Sequence, residues 1–168
     1  MNAKLFYKEM ESPVGKLKLV ASAKALVAVL WQRERQNRVK LDPMRFAPRQ
    51  PILLEAERQL AEYFAGTRTT FDLPLEPDGT AFQKKVWRAL RKIPFGTTRS
   101  YLELAKAVGA PSASRAVGAA NGKNPLSIIL PCHRVVGARG HLTGFAGGLK
   151  IKATLLALEA RALMPVRN

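Results

Sequence analysis

The sequence predicts an α/β domain followed by a mostly helical domain that contains a helix-turn-helix. Three observations support this fold class. Strand-like segments fill the start of the chain, helical apolar stripes with capping residues fill its second half, and residues 73–79, with two prolines and a glycine, separate the two. We therefore expect an N-terminal domain over residues 1–78 and a C-terminal domain over residues 79–168, which suits a chain of 168 residues that is 47% hydrophobic.

The N-terminal half begins with three predicted strands. Lysine and apolar residues alternate in the second of them, as expected for a strand with one buried face. A proline and a glycine, Pro13 and Gly15, predict the turn that precedes it. We expect the three strands at residues 5–10, 16–21 and 26–31.

The rest of this half predicts one helix. Residues 33–51 are basic and contain prolines, so we expect a loop with some helix there. Apolar residues spaced three or four apart predict a helix over residues 52–65, which Gly66 ends. Residues 69–73 are a candidate for a further short strand.

The C-terminal half opens with a predicted capping box. Thr80 and Gln83 have the spacing at which the two side chains satisfy the first amide groups of a helix, so we expect a helix over residues 81–92. Its predicted apolar face consists of Phe82, Val86, Ala89, Leu90 and Ile93.

A second capping box starts the predicted helix-turn-helix. Ser100 and Glu103 predict a helix that ends at Gly109. A short helix over residues 113–121 follows, and Gly122 ends it. Two short helices joined by a tight turn that contains glycine are typical of the helix-turn-helix.

The end of the chain predicts a loop and a helix. Three glycines fall within residues 144–148 and predict a glycine-rich loop. A final helix is expected over residues 149–163, with Leu155, Leu156, Leu158 and Leu163 as its apolar side chains.

Charge is unevenly distributed along the chain, whose net charge is +16. Residues 1–78 hold 13 lysines and arginines against 10 acids, whereas residues 79–168 hold 15 against only two acids, Glu103 and Glu159. A half with so few acids predicts a polyanionic partner, and nucleic acid is the first candidate. An anionic membrane surface is the weaker alternative, because no basic amphipathic helix with a large aromatic face stands out.

The sequence predicts no membrane segment. Its longest apolar run has seven residues, far fewer than the roughly 20 that span a bilayer. The N-terminus lacks the apolar region of a secretory signal. We therefore expect a cytoplasmic protein.

The third predicted helix of this half has an unusual composition. Nearly every side chain over residues 112–121 is small, except Arg115 and Val117. Either the small residues pack tightly against a neighbouring helix, or they let a recognition helix approach DNA closely while one long cation projects. Small residues suit the narrow minor groove better than the major groove.

The single cysteine, Cys132, excludes an intramolecular disulfide and a zinc site with several cysteines. A lone cysteine is usually a small buried residue, but His133 and Arg134 follow this one and offer a base and a positive charge. Adjacent side chains point in different directions, so a bent backbone or a bridging water must connect the thiol to His133. The imidazole also needs an orienting partner, and Glu159 is the carboxylate of this half that no helix cap explains.

The segment from Pro131 to Val135 resembles the active-site signature of the O6-alkylguanine-DNA alkyltransferases, also called methylated-DNA–protein cysteine methyltransferases. The specific resemblance covers about residues 80–163. The N-terminal half resembles the family's RNase H-like α/β domain in pattern only. Matching segments outside the signature are Arg115-Ala-Val-Gly-Ala-Ala, Asn124-Pro125, Gly147-Gly148 and the helix with Lys152, Leu155, Leu156 and Glu159.

The resemblance implies DNA repair by a suicidal transfer of the alkyl group from O6-alkylguanine, and from O4-alkylthymine, to Cys132. His133 would act through water as the base, and Glu159 would hold its tautomer. Asn124 would fix the turn before an active-site strand, and Tyr101 would donate a hydrogen bond or proton to the leaving base. No cofactor and no metal are implied.

The resemblance also implies a lesion pocket and a DNA-binding face. Phe145 and Ala146 stand where many relatives have tyrosine and serine, so the pocket lacks two hydroxyls. Arg115 would fill the base stack after the damaged base flips out. The expected partner is double-stranded DNA carrying O6-alkylguanine, contacted in the minor groove by a monomer. The implied pocket residues are Val135, Phe145, Ala146 and Lys152, and the implied DNA-binding residues are Arg115, Ser114, Ala116 and Ala119.

Three other functions fit parts of the sequence. Alkyltransferase-like lesion-binding proteins share this fold but lack the nucleophile, so Cys132 argues against that class. A helix-turn-helix transcription factor would need larger side chains on its recognition helix and a dimerisation segment. A Cys–His hydrolase of small molecules would not need a net charge of +13 over residues 79–168.

Overall fold

In the computed structural model, which describes residues 4–164, the first half of the chain forms a four-stranded sheet in the order β3-β2-β1-β4. The first three strands pair antiparallel in sequence order, and β4 adds to β1 in parallel at the edge. The strands are β1 (Leu5–Met10), β2 (Leu17–Ala21), β3 (Leu26–Trp31) and β4 (Met44–Phe46). The three predicted strands are confirmed, with the second starting one residue later than expected.

One helix covers the sheet. It is α1 (Pro51–Phe64), and Gln50 caps its start by accepting a hydrogen bond from the amide of Leu53 at 2.9 Å. Residues spaced three and four apart form its buried stripe, which includes Tyr63. The chain leaves the helix through Gly66, whose φ of +80° is the left-handed conformation that glycine adopts at little cost.

Two predictions for this half need correction, although the predicted loop at residues 33–51 is largely present. Residues 33–51 hold the strand β4 instead of helical turns, because residues 44–46 extend along the free edge of β1. Residues 69–73 form no strand. The side chain of buried Gln59 bonds both the N–H and the C=O of Asp72 at 2.9 Å, and so occupies the groups that a neighbouring strand would need.

The second half is mostly helical, as predicted. Both capping boxes form, at the starts of α2 and α3. Gly109, with φ of +74°, lies in the turn between α3 and α4 and allows the chain to reverse there. The helices are α2 (Ala81–Arg91), α3 (Tyr101–Ala107), α4 (Ser114–Gly122) and α5 (Leu149–Ala162).

Two of the predicted apolar faces need correction. Trp87, rather than Phe82, supplies the large buried ring of α2, and its indole N–H donates to the carbonyl of Ala120 on α4 at 2.8 Å. Phe82 lies in the first turn and is 37% exposed. Leu163 follows the last residue of α5 and is 57% exposed, so the buried face of that helix is centred on Leu155 instead.

The two halves share one apolar core. Buried residues of the sheet, of α1 and of the C-terminal helices belong to a single cluster. The amide of Val29 also donates to the carbonyl of Pro125 at 2.9 Å, which ties β3 to the turn after α4. The domain boundary at residue 78 stays a prediction. Within residues 4–164, no helix is long and apolar enough to cross a bilayer.

Candidate active site

Cys132 lies in a buried turn of the second half. It opens a short 3-10 helix, Cys132–Arg134, that leads into the strand β6 (Val135–Val136), which pairs in parallel with β5 (Arg99–Ser100). The resemblance implied a turn followed by an active-site strand, and in the structure this 3-10 helix lies between the turn and the strand β6. Pro131 has no N–H to give to a sheet, and the tight turn that follows it orients consecutive side chains differently. The cysteine itself is only 5% exposed.

Asn124 spans the turn that precedes the cysteine. Its side-chain amide donates to the carbonyl of Leu130 at 2.8 Å, and its carbonyl oxygen accepts from the amide of Leu126 at 2.9 Å. Within this turn, Ile128 has φ of +75°, a conformation that a β-branched side chain disfavours. Asn124 therefore holds a strained segment in one shape directly before the thiol.

His133, the residue after Cys132, forms a buried pair with Glu159. Nε2 of His133 lies 2.6 Å from Oε2 of Glu159, and neither side chain is exposed to solvent. Burial alone would raise the pKa of Glu159, but its hydrogen bonds from His133, Arg134 and the amide of Gly96 outweigh burial and lower that pKa to about 2. The carboxylate is therefore ionised at neutral pH.

The ionised carboxylate decides which nitrogen of His133 carries the proton. Because Glu159 can only accept, Nε2 is the protonated nitrogen, and Nδ1 has a free lone pair. Nδ1 makes no hydrogen bond to any of the residues described. Burial lowers the pKa of His133, although Glu159 opposes this, so the ring is a neutral base.

The thiol of Cys132 is not activated in the resting protein. Burial raises its pKa, despite the opposing effects of Asn124, Arg38 and Lys152. The expectation that Arg134 offers the thiol a positive charge is wrong, because its guanidinium is already paired. It binds both oxygens of Glu159 at 2.9 and 3.1 Å and the carbonyl of Ile93 at 2.7 Å. Chemistry that needs the thiolate of Cys132 would therefore require a base to remove the thiol proton.

Lys152 is a buried cation near the thiol. Its ammonium group donates to the carbonyl oxygens of Val135 at 2.6 Å and of Thr143 at 3.1 Å. Burial lowers its pKa, whereas the nearby Cys132 raises it. Lys152 thus ties β6 to the loop before α5 and brings a positive charge to the site.

The predicted pocket residues Phe145 and Ala146 lie on that loop, and the predicted donor to the leaving base, Tyr101, lies on α3. Tyr101 is the first residue of α3, and its hydroxyl accepts a hydrogen bond from that of Thr143 at 3.3 Å. Phe145 packs edge-on against Trp31 of β3, with ring centroids 5.6 Å apart. Ala146 is half-buried in the turn that follows. A methyl group on Gly147 would come within 3.0 Å of both aromatic rings, so this turn is closely packed.

The predicted DNA-binding residues form one exposed face of α4. Arg115, Ala116 and Ala119 are exposed and Ser114 is half-buried, while Val117 and Ala120 on the opposite face are buried. Arg115 makes no side-chain hydrogen bond or ion pair with the part of the chain described here, residues 4–164. The packing interpretation of this helix is therefore confirmed for its buried face, whereas contact of its exposed face with DNA stays a prediction.

Three residues at the site escaped the sequence analysis, all from the first half. Trp31 packs against Phe145, Tyr63 donates to Oε2 of Glu159 at 2.7 Å, and buried Arg38 donates to the carbonyls of residues 122 and 124 at 3.2 and 2.8 Å. Arg38 also pairs with Glu34. In the sequence, Tyr63 looks like any apolar residue of a helix core, and Arg38 looks like any surface arginine. No sequence pattern therefore marked either residue as part of the site.

Two family models match the chain. Residues 5–77 match the ribonuclease-like domain of 6-O-methylguanine DNA methyltransferase, and residues 81–161 match its DNA binding domain. Relatives named methylated-DNA–protein-cysteine methyltransferase include one from Methanosarcina acetivorans, 48% identical over 92% of this chain and 98% of the relative. Another, from Mycolicibacterium paratuberculosis, is 48% identical over 92% of each chain.

Solved structures show the same architecture. That of Mycobacterium tuberculosis OGT in complex with DNA superposes with a TM-score of 0.87 at 44% identity, covering 94% of each chain. An O6-methylguanine-DNA methyltransferase from Pyrococcus kodakaraensis, at 22% identity and a TM-score of 0.54, shares the fold over 92% of this chain.

Proposed function

The chain belongs to the 6-O-methylguanine DNA methyltransferase family, and we propose that it repairs O6-alkylguanine in DNA by transferring the alkyl group to its own Cys132. The observation that carries this proposal is the buried His133–Glu159 pair, joined at 2.6 Å, next to the only cysteine of the chain. O4-alkylthymine is proposed as a second substrate, because it presents the same kind of alkyl carbon on an exocyclic oxygen.

The reaction is an in-line displacement at the alkyl carbon. As the sulfur–carbon bond forms and the carbon–O6 bond breaks, the thiol proton passes through a water to Nδ1 of His133. Glu159 stabilises the imidazolium that results. The thioether product is a poor leaving group, so each protein molecule acts once.

The guanine leaves with the electrons of the carbon–O6 bond and must be protonated. The hydroxyl of Tyr101, at the start of α3, is the proposed donor to the departing base. Val135, Phe145 and Ala146 form the walls that bind the base and its alkyl group. Lys152 holds two of these segments together and favours the thiolate electrostatically as it develops.

The exposed face of α4 is proposed to enter the minor groove of double-stranded DNA as a monomer. Ser114, Ala116 and Ala119 are small enough for close approach to a groove about 6 Å wide. Arg115 then takes the place of the flipped nucleotide in the stack. The excess of cations over residues 79–168 supplies phosphate contacts on either side.

Intact-mass measurement after incubation with an O6-methylguanine duplex tests the proposal. We expect a gain of one methyl group, confined to the peptide with Cys132, and no gain with the undamaged duplex. Cys132→Ser is the matched control and should gain nothing. A folded wild-type protein that binds the lesion but stays unmodified would instead be a lesion-binding protein without transfer.

A further inference from the structure

Tyr63 links the N-terminal half to the reacting groups. It lies on α1, is fully buried, and its hydroxyl donates to Oε2 of Glu159 at 2.7 Å across 96 positions of sequence. The same oxygen lies 2.6 Å from Nε2 of His133. We propose that Tyr63 is a positioning residue for alkyl transfer, which orients the Glu159 carboxylate and so sets the orientation and basicity of His133. This inference rests on the proposed function.

The carboxylate of Glu159 is surrounded by donors on both oxygens. A carboxylate has about four lone-pair sites, and five donor groups share them here. His133 and Arg134 are neighbours in one turn, so a shift of that turn would move both bonds together. Tyr63 holds the carboxylate from a separate element. Oε1 accepts from Arg134 Nε (2.9 Å) and Gly96 N (3.0 Å), and Oε2 accepts from Tyr63, His133 and Arg134 Nη2 (3.1 Å).

The hydroxyl of Tyr63 also affects how strongly His133 holds a proton. Burial and the adjacent Glu159 raise the pKa of Tyr63, so it is a protonated donor at neutral pH. By donating to the oxygen that faces the imidazole, it takes up part of the negative charge that would stabilise imidazolium. The other charged groups that face the ring are Arg134 on its own turn and Lys152 on α5, and both disfavour the imidazolium.

The ring of Tyr63 is held independently of its hydroxyl. It packs against Phe64, Phe71 and Phe95, with centroids 5.3, 5.7 and 6.0 Å away. Phe95 in turn lies under the guanidinium of Arg134, 5.6 Å from its centroid. The oxygen can therefore be removed while the packing remains, which makes the hydroxyl bond testable by itself.

The test compares Tyr63→Phe with Tyr7→Phe, which makes the same change on β1 away from Glu159. The rate of methyl transfer from free O6-methylguanine base, followed by intact mass, is measured from pH 5 to pH 9, so that DNA binding does not contribute. We expect Tyr63→Phe to be roughly three- to tenfold slower at neutral pH, with the acid limb of its profile moved to higher pH because His133 becomes more basic. Tyr7→Phe should follow wild type.

A tyrosine fluorinated next to its hydroxyl, placed at position 63, keeps both the ring and the bond. Its more acidic hydroxyl is a stronger donor, so the acid limb should move to lower pH, opposite to the Phe variant. The fluorinated variant also tests the role of the Tyr63 hydroxyl if Tyr63→Phe does not fold. Profiles at position 63 that overlay wild type would overturn the role of Tyr63. A wild-type protein that never gains a methyl group would instead overturn the proposed function.

Discussion

The network around Glu159 and the outer face of α4 are built in opposite ways. Every polar group of the Glu159 carboxylate is buried and bonded, with donors from both halves of the chain. On α4, the long side chain of Arg115 is exposed, and small residues surround it. The proposed chemistry would thus rely on groups that are oriented before the substrate arrives, whereas the proposed DNA contact would rely on an exposed side chain that has no hydrogen-bond partner among residues 4–164.

This contrast predicts that changes in the interior affect both reaction and stability, whereas changes on α4 affect only DNA-dependent steps. The two regions can therefore be separated by measuring transfer to free base, transfer on duplex DNA, DNA affinity and unfolding free energy for each variant.

The largest effect is expected from Cys132→Ser. The hydroxyl has about the size of the thiol, but its pKa is far too high for His133 to ionise it usefully at neutral pH, so transfer should vanish on duplex and free base. The α4 face is unchanged, so affinity for a lesion duplex should stay near wild type. Intact mass measures transfer, and fluorescence anisotropy measures DNA affinity. A loss of affinity alongside the loss of transfer would show that the thiol also contributes to DNA binding.

Glu159→Gln should slow transfer on both substrates by roughly a hundredfold or more, because the amide no longer secures the tautomer of His133. It also leaves Arg134 buried without its anion, which should lower the unfolding free energy by about 3–5 kcal/mol in urea titrations. Glu103→Gln is the matched control, since Glu103 is the exposed cap of α3 and the other acid of this half. Equal losses of transfer rate and of unfolding free energy in the two variants would contradict the role of Glu159 as the partner of His133.

The pH dependence of stability gives a second readout for Glu159. Its pKa is lowered from 4.5 to about 2, so its stabilising contribution is complete above about pH 4.5 and is lost as the pH falls towards 2. Burial also lowers the pKa of His133, so stability falls further as the pH drops below its ordinary value of 6.5. The unfolding free energy of Glu159→Gln should therefore depend less steeply on pH below 4.5 than that of wild type.

Arg115→Ala should slow transfer on duplex DNA about thirtyfold, if about 2 kcal/mol of the cost of base flipping is no longer offset. Free base needs no flipping, so its rate should stay near wild type. Time courses of methyl transfer, quenched at intervals, measure the rates on duplex DNA and on free base. If both fell equally, Arg115 would support the pocket or the fold and would not fill the vacated stack.

Ala119→Leu should have the smallest effect, a loss of about tenfold in DNA affinity, because the larger side chain keeps α4 from approaching the narrow minor groove. Helix propensity changes little between alanine and leucine, so stability and free-base transfer should be unaffected. Ala160→Leu makes the same change at an exposed position of α5. Anisotropy that shows equal affinities for the two variants would contradict minor-groove contact by this face.

Local elements were largely predictable from the sequence because their signals are local. Capping residues such as Thr80 and Ser100 bond amides within the same turn, and the strand β2 shows its buried face by alternation. Local signals could not show that the strand predicted at residues 69–73 does not form. Gln59, thirteen positions earlier in the chain, occupies the backbone groups of Asp72, and that contact exists only in the folded chain.

By itself, the sequence determined the fold class, the uneven charge and the segment around Cys132, since these depend on composition and on residues adjacent in the chain. It also indicated Glu159 as a partner of His133, because the acids of the second half are so few. Only the tertiary structure decided that Arg134 pairs with Glu159 rather than with the thiol, and that Tyr63 and Arg38 reach the site from the first half. The physical reason is burial: a charged or hydroxyl group inside the protein is costly without a partner, and which partner is near depends on how distant segments pack.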